Sequence, residues 1–587
     1  VLEACPDSAP HGLSSWRWNA AAAAVFVAAL GITFGDLWRD DPRSVAPVGR
    51  VPPGLEMVSR ADVSFEAWLV DRHARTLVRA PWRLFATEHC APGERTLTLG
   101  VPMITMGLLA VPAGFSGEPI LAYNAAILAV LLASALSMYL LATDWTGVPA
   151  AGIAAGLLFA LHPLRIDTLM HPAEVDIGWT ALALFFARRL LASGRWRDAV
   201  GLSLACGLQI AASFYPTLAA FLLAPPLALW LLRSQVLRRA RPAQLAFVAG
   251  AVCLAAAAVL GPYLGARGSA PDHLQRGAHF YAAWAWYRPG QPFFPGWLLL
   301  ALAALGLALP RRLGFAALAR DPRLALCAGA FLVALVAGGP LGATLLAPFG
   351  GDLATPAPYE ILSSFLPGLD TVRVVMRLVV GVVLVLALLA AAGVAACVRL
   401  SGRFGAPVAA AFVALVAVDV LAPAPGRGDA ARIPRMEIRP PPEILDFFAR
   451  LEDAGSRGPM LELPYESVGG ALAAPARILA GGWHHRRTSA CFGSYALPEH
   501  EKIAALADAL PRAQAVRELA ALGFTTIVVH EPKGWYSWPI ARRLARGTGR
   551  RHVRLRPLLE TELASAFAIE VDAAPPDRER REAGTAG

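Results

Sequence analysis

Charge is scarce in this 587-residue chain: Asp, Glu, Lys and Arg make up 16% of it, against about 25% in ordinary globular domains. A set of soluble cores cannot be covered with so little. Lysine is nearly missing, with only Lys502 and Lys533 among 53 basic residues. The formal net charge of +10 is therefore an arginine charge. Those arginines sit in short loops between apolar runs, which argues for topology signals and against nucleic-acid binding. Seven cysteines are present without a CxxC or a Cys/His ligand spacing, so no zinc module is expected. A Gly-rich phosphate loop, a GxSxG elbow and an HExxH helix are also missing, which removes the commonest nucleotide, hydrolase and metalloprotease chemistries. Val1 to Ser15 has no basic leader, so the first apolar helix reads as an uncleaved anchor.

What is present is apolar length. Hydrophobic residues make up 56% of the chain, and runs of near-spanning length recur over its first 420 or so positions, where about 20 residues cross ~30 Å of hydrocarbon. These runs are Trp18–Gly35, Leu121–Ala142, Val148–Leu161, Ile177–Leu191, Val200–Ser213, Thr217–Leu232, Ala243–Leu264, Phe293–Leu309, Leu324–Gly339, Val375–Val398 and Pro407–Leu421. They predict about eleven transmembrane helices. Four arginine clusters follow: Arg188, Arg189, Arg195 and Arg197; Arg233, Arg238, Arg239 and Arg241; Arg311, Arg312, Arg320 and Arg323; Arg399 and Arg403. An even number of spans separates each cluster from the next, so all four can face the cytoplasm. One more run, Leu97–Phe115, would break that parity if it crossed, and it reads as a re-entrant or surface-lying helix.

This phase keeps residues 1–17 inside, makes 18–421 a membrane domain, and gives it a long first outer loop at 37–120. After a Pro/Gly/Arg-rich linker at 422–442, strand and helix patterns alternate over 443–574, which predicts a small extracytoplasmic α/β domain. Here Met460–Leu463 and Thr525–His530 read as strands and Ile503–Leu522 as a helix; the tail 575–587 reads as disordered. Cys90 and Cys491 would share the outer compartment, where a disulfide is allowed. Cys206, Cys253, Cys327 and Cys397 fall in apolar runs and read as small core residues.

Acid groups at a membrane boundary cost desolvation unless something uses them. In RADVSFEAWLVD, Asp62 and Glu66 stand one helical turn apart, with Asp71 further on. A carboxylate there suits a general base toward a hydroxyl, or a ligand holding a divalent cation (Mg or Mn) against a phosphate; the bland reading is a solvated surface helix. The loop HPLRIDTLMHPAEVD packs His162, Arg165, Asp167, His171, Glu174 and Asp176 together, fitting phosphate contact and proton transfer, or else a polar cap on two helices. In DHLQRGAHFYAAWAWYRPG, Trp284 and Tyr287 suit either stacking on a sugar or an interfacial belt. Arg373 and Arg377 open a span on the outer side, against the positive-inside bias, so they require an anionic partner. The adjacent His484 and His485 are read on opposite faces of a strand, which disfavours a shared metal.

Two stretches, ADVSFEAW in the first loop and GERTLTLGVPM leading to the apolar run after it, resemble the GT-C superfamily of membrane glycosyltransferases. That superfamily includes protein O-mannosyltransferases, aminoarabinose transferases and oligosaccharyl transferase catalytic subunits. AYNAAILAVLLASALSMYLLATDWTG, AGLLFALHPLRIDTLMHP, SFYPT, LPGLDTVRVVMRL, MLELPYES and ALGFTTIVVHE further resemble YfhO-like bacterial membrane proteins. The resemblance implies a polyprenyl-phosphate sugar donor, transfer to a glycan, lipid or protein acceptor on the outer face of a bacterial inner membrane, and Asp62 as the catalytic acidic residue. Glu174 or Asp176 would be a second acidic site, Arg165, Arg373 and Arg377 would meet the donor phosphate, and His162, His171, Trp284 and Tyr287 would line the substrate. The first loop lacks an adjacent acidic pair, which leaves the cation role open. A lipid-linked cargo carrier and a non-catalytic assembly protein are the competing classes.

Overall fold

The structure, a computed structural model, describes residues 14–51, 54–233, 240–267, 294–309, 322–338, 357–365, 372, 374–422, 433–466, 473–493, 498–531 and 539–572. Each of the eleven apolar runs holds a helix over its described part. Helix α1 (Ser14–Thr33) leads through α2 (Gly35–Arg39) and strand β1 (Val45–Pro47) to the long α3 (Glu56–Arg79). The bundle continues with α4 (Ile104–Gly114), α5 (Pro119–Thr146), α6 (Pro149–Ala160), the short α7 (Pro163–Asp167) and α8 (Gly178–Ser193). Next come α9 (Trp196–Ala212), α10 (Phe214–Arg233), α11 (Pro242–Arg267), α12 (Trp297–Ala308) and α13 (Pro322–Ala337). Helices α14 (Pro358–Phe365), α15 (Val380–Leu400) and α16 (Gly405–Leu421) complete it.

Among the described residues five helical segments are long and apolar enough to cross a membrane: Pro119–Thr146, Pro149–Asp167, Pro242–Ala266, Val375–Leu400 and Gly402–Leu421. Four shorter apolar helices accompany them, among them α4, whose 11 residues reach about 16 Å, half a bilayer core. Helices α12 and α15 approach closely because Gly306 and Gly393 face each other: a Cβ on either would overlap the Leu389 or Leu302 carbonyl oxygen. Small residues at such a crossing let backbones touch, the usual route to tight packing where lipid supplies no hydrophobic drive.

The C-terminal module is α/β, with α17 (Pro442–Asp453), α18 (Ala474–His484), α19 (Pro498–Ala509), α20 (Ala513–Ala521) and α21 (Pro539–Ala545). Its sheet has the order β3-β4-β6-β5, from β3 (Met460–Leu463), β4 (Thr526–His530), β5 (Val553–Glu560) and β6 (Ala564–Val571). Strands β3 and β4 are parallel; the other pairings are antiparallel. Alternation sorts its two faces. Leu461, Leu463, Ile527 and Val529 pack with α19 and α20, whereas Met460 and Val528 pack with Phe447 and Phe448 of α17.

Three local expectations change. The run Ile503–Leu522 is two helices, because Pro511 interrupts it and has no N–H to give. His484 and His485 end a helix instead of lying on a strand, with His485 in the left-handed region at φ 54°. The stretch expected as a 422–442 linker holds a strand: β2 (Arg435–Glu437) pairs antiparallel with β1, in the first long loop.

That pairing is one of several ties between the module and the first loop. A Cys90–Cys491 disulfide joins residues 401 positions apart. Around it Cys90 N donates to Ala490 O, Ala91 N to Thr488 O, and Thr488 N to Glu88 O. Arg439 pairs with Glu118 at 2.9 Å, and Gly482 of α18 packs against Pro119 with no room for a Cβ. Trp68 of α3 is buried beside Gly481, a burial contributing about 2–3 kcal/mol.

Candidate active site

Helix α3 is enclosed on nearly all sides. From Ala61 to Ala74 every residue except Asp62 is buried, held between the bundle and α18. The solvated-surface-helix reading of Asp62 and Glu66 is thereby excluded. Asp62 retains 19% side-chain exposure, whereas Glu66 is 6% exposed. Further along, Asp71 accepts from Arg75 Nε at 2.8 Å, a tie along the helix itself. Arg72, also buried, donates to Glu88 at 3.0 Å and to the carbonyls of Arg83, Leu84 and Ala86, folding the loop back onto α3.

The loop between α7 and α8 delivers the opposing groups. His171 stands between the two acids of α3, with Nε2 3.5 Å from Asp62 Oδ2 and Nδ1 3.2 Å from Glu66 Oε1. Tyr123 of α5 donates weakly to Glu66 Oε2 at 3.4 Å. Glu174 forms an ion pair with Arg377, from the 3-10 turn that precedes α15. The Arg377 guanidinium also lies over the Tyr215 ring, 5.3 Å from its centroid. Three elements that are far apart in sequence thus place Asp62, Glu66, His171, Glu174 and Arg377 in one cluster.

Burial dominates its electrostatics. Asp62 is raised to about 6, with Arg377 opposing the rise. Burial also raises Glu174, to about 7 despite Arg377, and Asp62 adds to the effect. Glu66 is pushed well above the carboxylate range, first by burial and then by the charges of Glu174 and Asp62. Burial, assisted by Arg377, holds His171 well below its ordinary value, so its imidazole is neutral. The result is one half-open acid that ionises near neutrality and two enclosed acids that resist charge.

The other residues singled out in the sequence go elsewhere. Asp176 lies one layer deeper, accepting from Trp179 Nε1 at 3.0 Å and Thr105 Oγ1 at 3.3 Å. Arg165 is fully enclosed, donating to Ser134 Oγ at 3.0 Å and lying over Phe159. A phosphate has no approach to it in this arrangement. His162 caps α7: its Nδ1 accepts from Leu164 N at 3.1 Å, and Nε2 lies 3.1 Å from Pro295 O. With both nitrogens engaged, it pins the loop instead of lining a cavity. Trp284, Tyr287 and Arg373 lie outside the described residues. Sequence reasoning missed Tyr123 and Tyr215, whose signals are a polar pair inside an apolar run (AYNAA) and an aromatic beside Pro216 (SFYPT).

A preassembled cation site does not fit these acids. The His171 ring, not a gap, separates Asp62 from Glu66. Among the described residues the one group of three metal-type ligands is Cys90, Cys491 and His500, and its cysteines are joined as a disulfide.

A second polar cluster lies in the C-terminal module. Glu462, buried on β3, is bonded by His530 at 2.6 Å and by Thr488 Oγ1. Burial works against its charge, but the bond and charge from His530 outweigh it and hold Glu462 down to about 2. Because Thr488 also bonds the first loop, this cluster fastens the sheet to the Cys90–Cys491 strap.

No family model and no curated protein matches the chain. Among solved structures it matches the cryo-EM structure of the arabinofuranosyltransferase AftD from Mycobacteria, with a TM-score of 0.53 and 16% sequence identity. The match covers 95% of this chain and 40% of that one, so the chain spans less than half the length of that transferase. The likeness is one of fold, and it accords with the five helical segments long and apolar enough to cross a membrane among the described residues.

Proposed function

We propose that the chain is a membrane glycosyltransferase that moves a sugar from a polyprenyl-phosphate donor to an acceptor on the extracytoplasmic face of a bacterial inner membrane. The observation that carries this reading is the meeting of Asp62 with Arg377 in one cluster, within a fold similar to that of a membrane-embedded arabinofuranosyltransferase. Asp62 is the general base. It is the most accessible acid of the group, and its value of about 6 leaves it ionised at neutral pH yet able to accept a proton. The acceptor hydroxyl gives its proton to Asp62 as its oxygen bonds to the anomeric carbon. The bond from that carbon to the phosphate oxygen breaks on the far side, inverting the centre, and the phosphate leaves as an anion toward Arg377. His171 orients Asp62 through its other nitrogen's contact with Glu66. Glu66, kept neutral, serves as a hydrogen-bonding support.

Two independent features support this sidedness. Arginine-rich turns belong in the cytoplasm, and a disulfide persists only in an oxidising compartment. The second supports an outer location shared by the first loop and the C-terminal module. The test is Asp62→Ala in a membrane preparation supplied with polyprenyl-phosphate sugars. Transfer is expected to fall by 10²–10⁴-fold or about that, with insertion and disulfide formation unchanged. Transfer at the wild-type rate removes the mechanism.

A further inference from the structure

Glu174 is satisfied on one side only. Its Oε1 meets Arg377, while Oε2, in a residue 5% exposed, has no hydrogen-bond partner among the described residues. A buried carboxylate oxygen left bare costs about 1–3 kcal/mol or more, which is a poor design for an ion pair that only holds the fold together. Arg377 itself keeps 17% of its side chain accessible. The groups around Glu174 are Asp62 and Glu66 from α3, His171 from its own loop, Tyr215 from α10 and Arg377 ahead of α15, with Tyr123 from α5 behind Glu66. One described cation faces three carboxyl groups there. An incoming anion gains Arg377 only if Glu174 gives it up.

We propose that Glu174 holds the place of the donor phosphate on Arg377, and that a prenyl phosphodiester binds by displacing it, Glu174 taking one proton from solvent as it departs. This rests on the donor reading given above. Once deprived of Arg377, Glu174 keeps only burial and the neighbouring acids, all of which favour its neutral form. Its resting value of about 7 therefore rises when donor binds. The sign follows. Below about pH 7 Glu174 is already protonated and donor affinity is insensitive to pH. Above it, affinity weakens toward tenfold per pH unit, because each binding event must take up a proton.

The probe is methyl farnesyl phosphate, a diester whose single negative charge is fixed across neutral pH, titrated into the detergent-solubilised full chain by calorimetry. Measurement at about pH 8 in two buffers of different ionisation enthalpy is expected to show uptake approaching one proton per diester bound. Glu174→Gln is expected to bind about tenfold tighter than wild type at that pH, with no proton uptake. Binding by wild type with no uptake and no pH dependence overturns the displacement while leaving the donor site standing, and needs no variant to fold. Uptake unchanged in Glu174→Gln overturns the assignment to Glu174. If wild type fails to bind the diester at any pH, while a control calorimetric scan shows it folded, this proposal and the donor reading fall together.

Discussion

Asp62 and Glu66 differ by one helical turn and by their enclosure, and that difference separates their chemistry. With Asp62 lifted to about 6 by burial, the proposed base is ionised above that value and lost below it. Turnover at saturating donor should therefore fall toward tenfold per unit as pH drops through about 6, and a pH–kcat profile checks it. Glu66 lies beyond reach of solvent, and its expected role is to keep His171 in place. Glu66→Gln, which preserves the hydrogen-bonding shape, should reduce kcat by no more than about tenfold, and Glu66→Ala by considerably more. Paired steady-state measurements on the two variants decide this; equal losses would make the carboxylate itself a participant. That Asp62 and Glu66 share a helix face is readable from their spacing. Their burial is not, because the surfaces that cover α3 come from α5, the α7–α8 loop and α18.

Among the elements, α3 and the α7–α8 loop carry the site, and α12 and α15 show how the bundle beneath them is held. Gly306 and Gly393 allow a backbone contact that any larger side chain breaks. Gly393→Leu should destabilise the membrane domain by about 1–3 kcal/mol or more, seen as a lowered thermal midpoint in detergent, while Gly250→Leu, in a glycine with open space around it, should leave the midpoint nearly unchanged. Apolar periods and arginine-flanked turns make these helices legible, since hydrocarbon demands length and composition whatever the neighbours are. Their pairing partners are not legible: Gly306 and Gly393 are simply two of 52 glycines until the helices meet.

At the scale of the molecule, the C-terminal module is bound to the first long loop by a disulfide, a two-stranded pairing and the Arg439–Glu118 ion pair. The module also packs on the helix that bears Asp62, with α18 lying against Trp68 and Asp71. Removing the disulfide by Cys90→Ser should cost about 2–4 kcal/mol, read as a lower melting temperature and as faster proteolysis of the module. An unchanged midpoint would mean that the noncovalent ties suffice. Acid should act on the same junction. Glu462, held down to about 2 in the fold against the ordinary glutamate value of 4.5, contributes stability that is present above about 4.5 and lost as pH falls toward 2.

The sequence by itself determined a membrane bundle with a trailing α/β module and the acid-bearing character of the first loop, because hydrophobic length, arginine placement and strand alternation are local properties of the chain. It also allowed the Cys90–Cys491 bond, since the expected topology puts both cysteines on one side. Only the tertiary structure decided which charges meet: His171 between Asp62 and Glu66, Glu174 on Arg377 from 203 residues away, and Arg165 and His162 turned to holding the loop. The physical reason is that burial and pairing depend on what covers a residue, and here the cover arrives from distant parts of the chain.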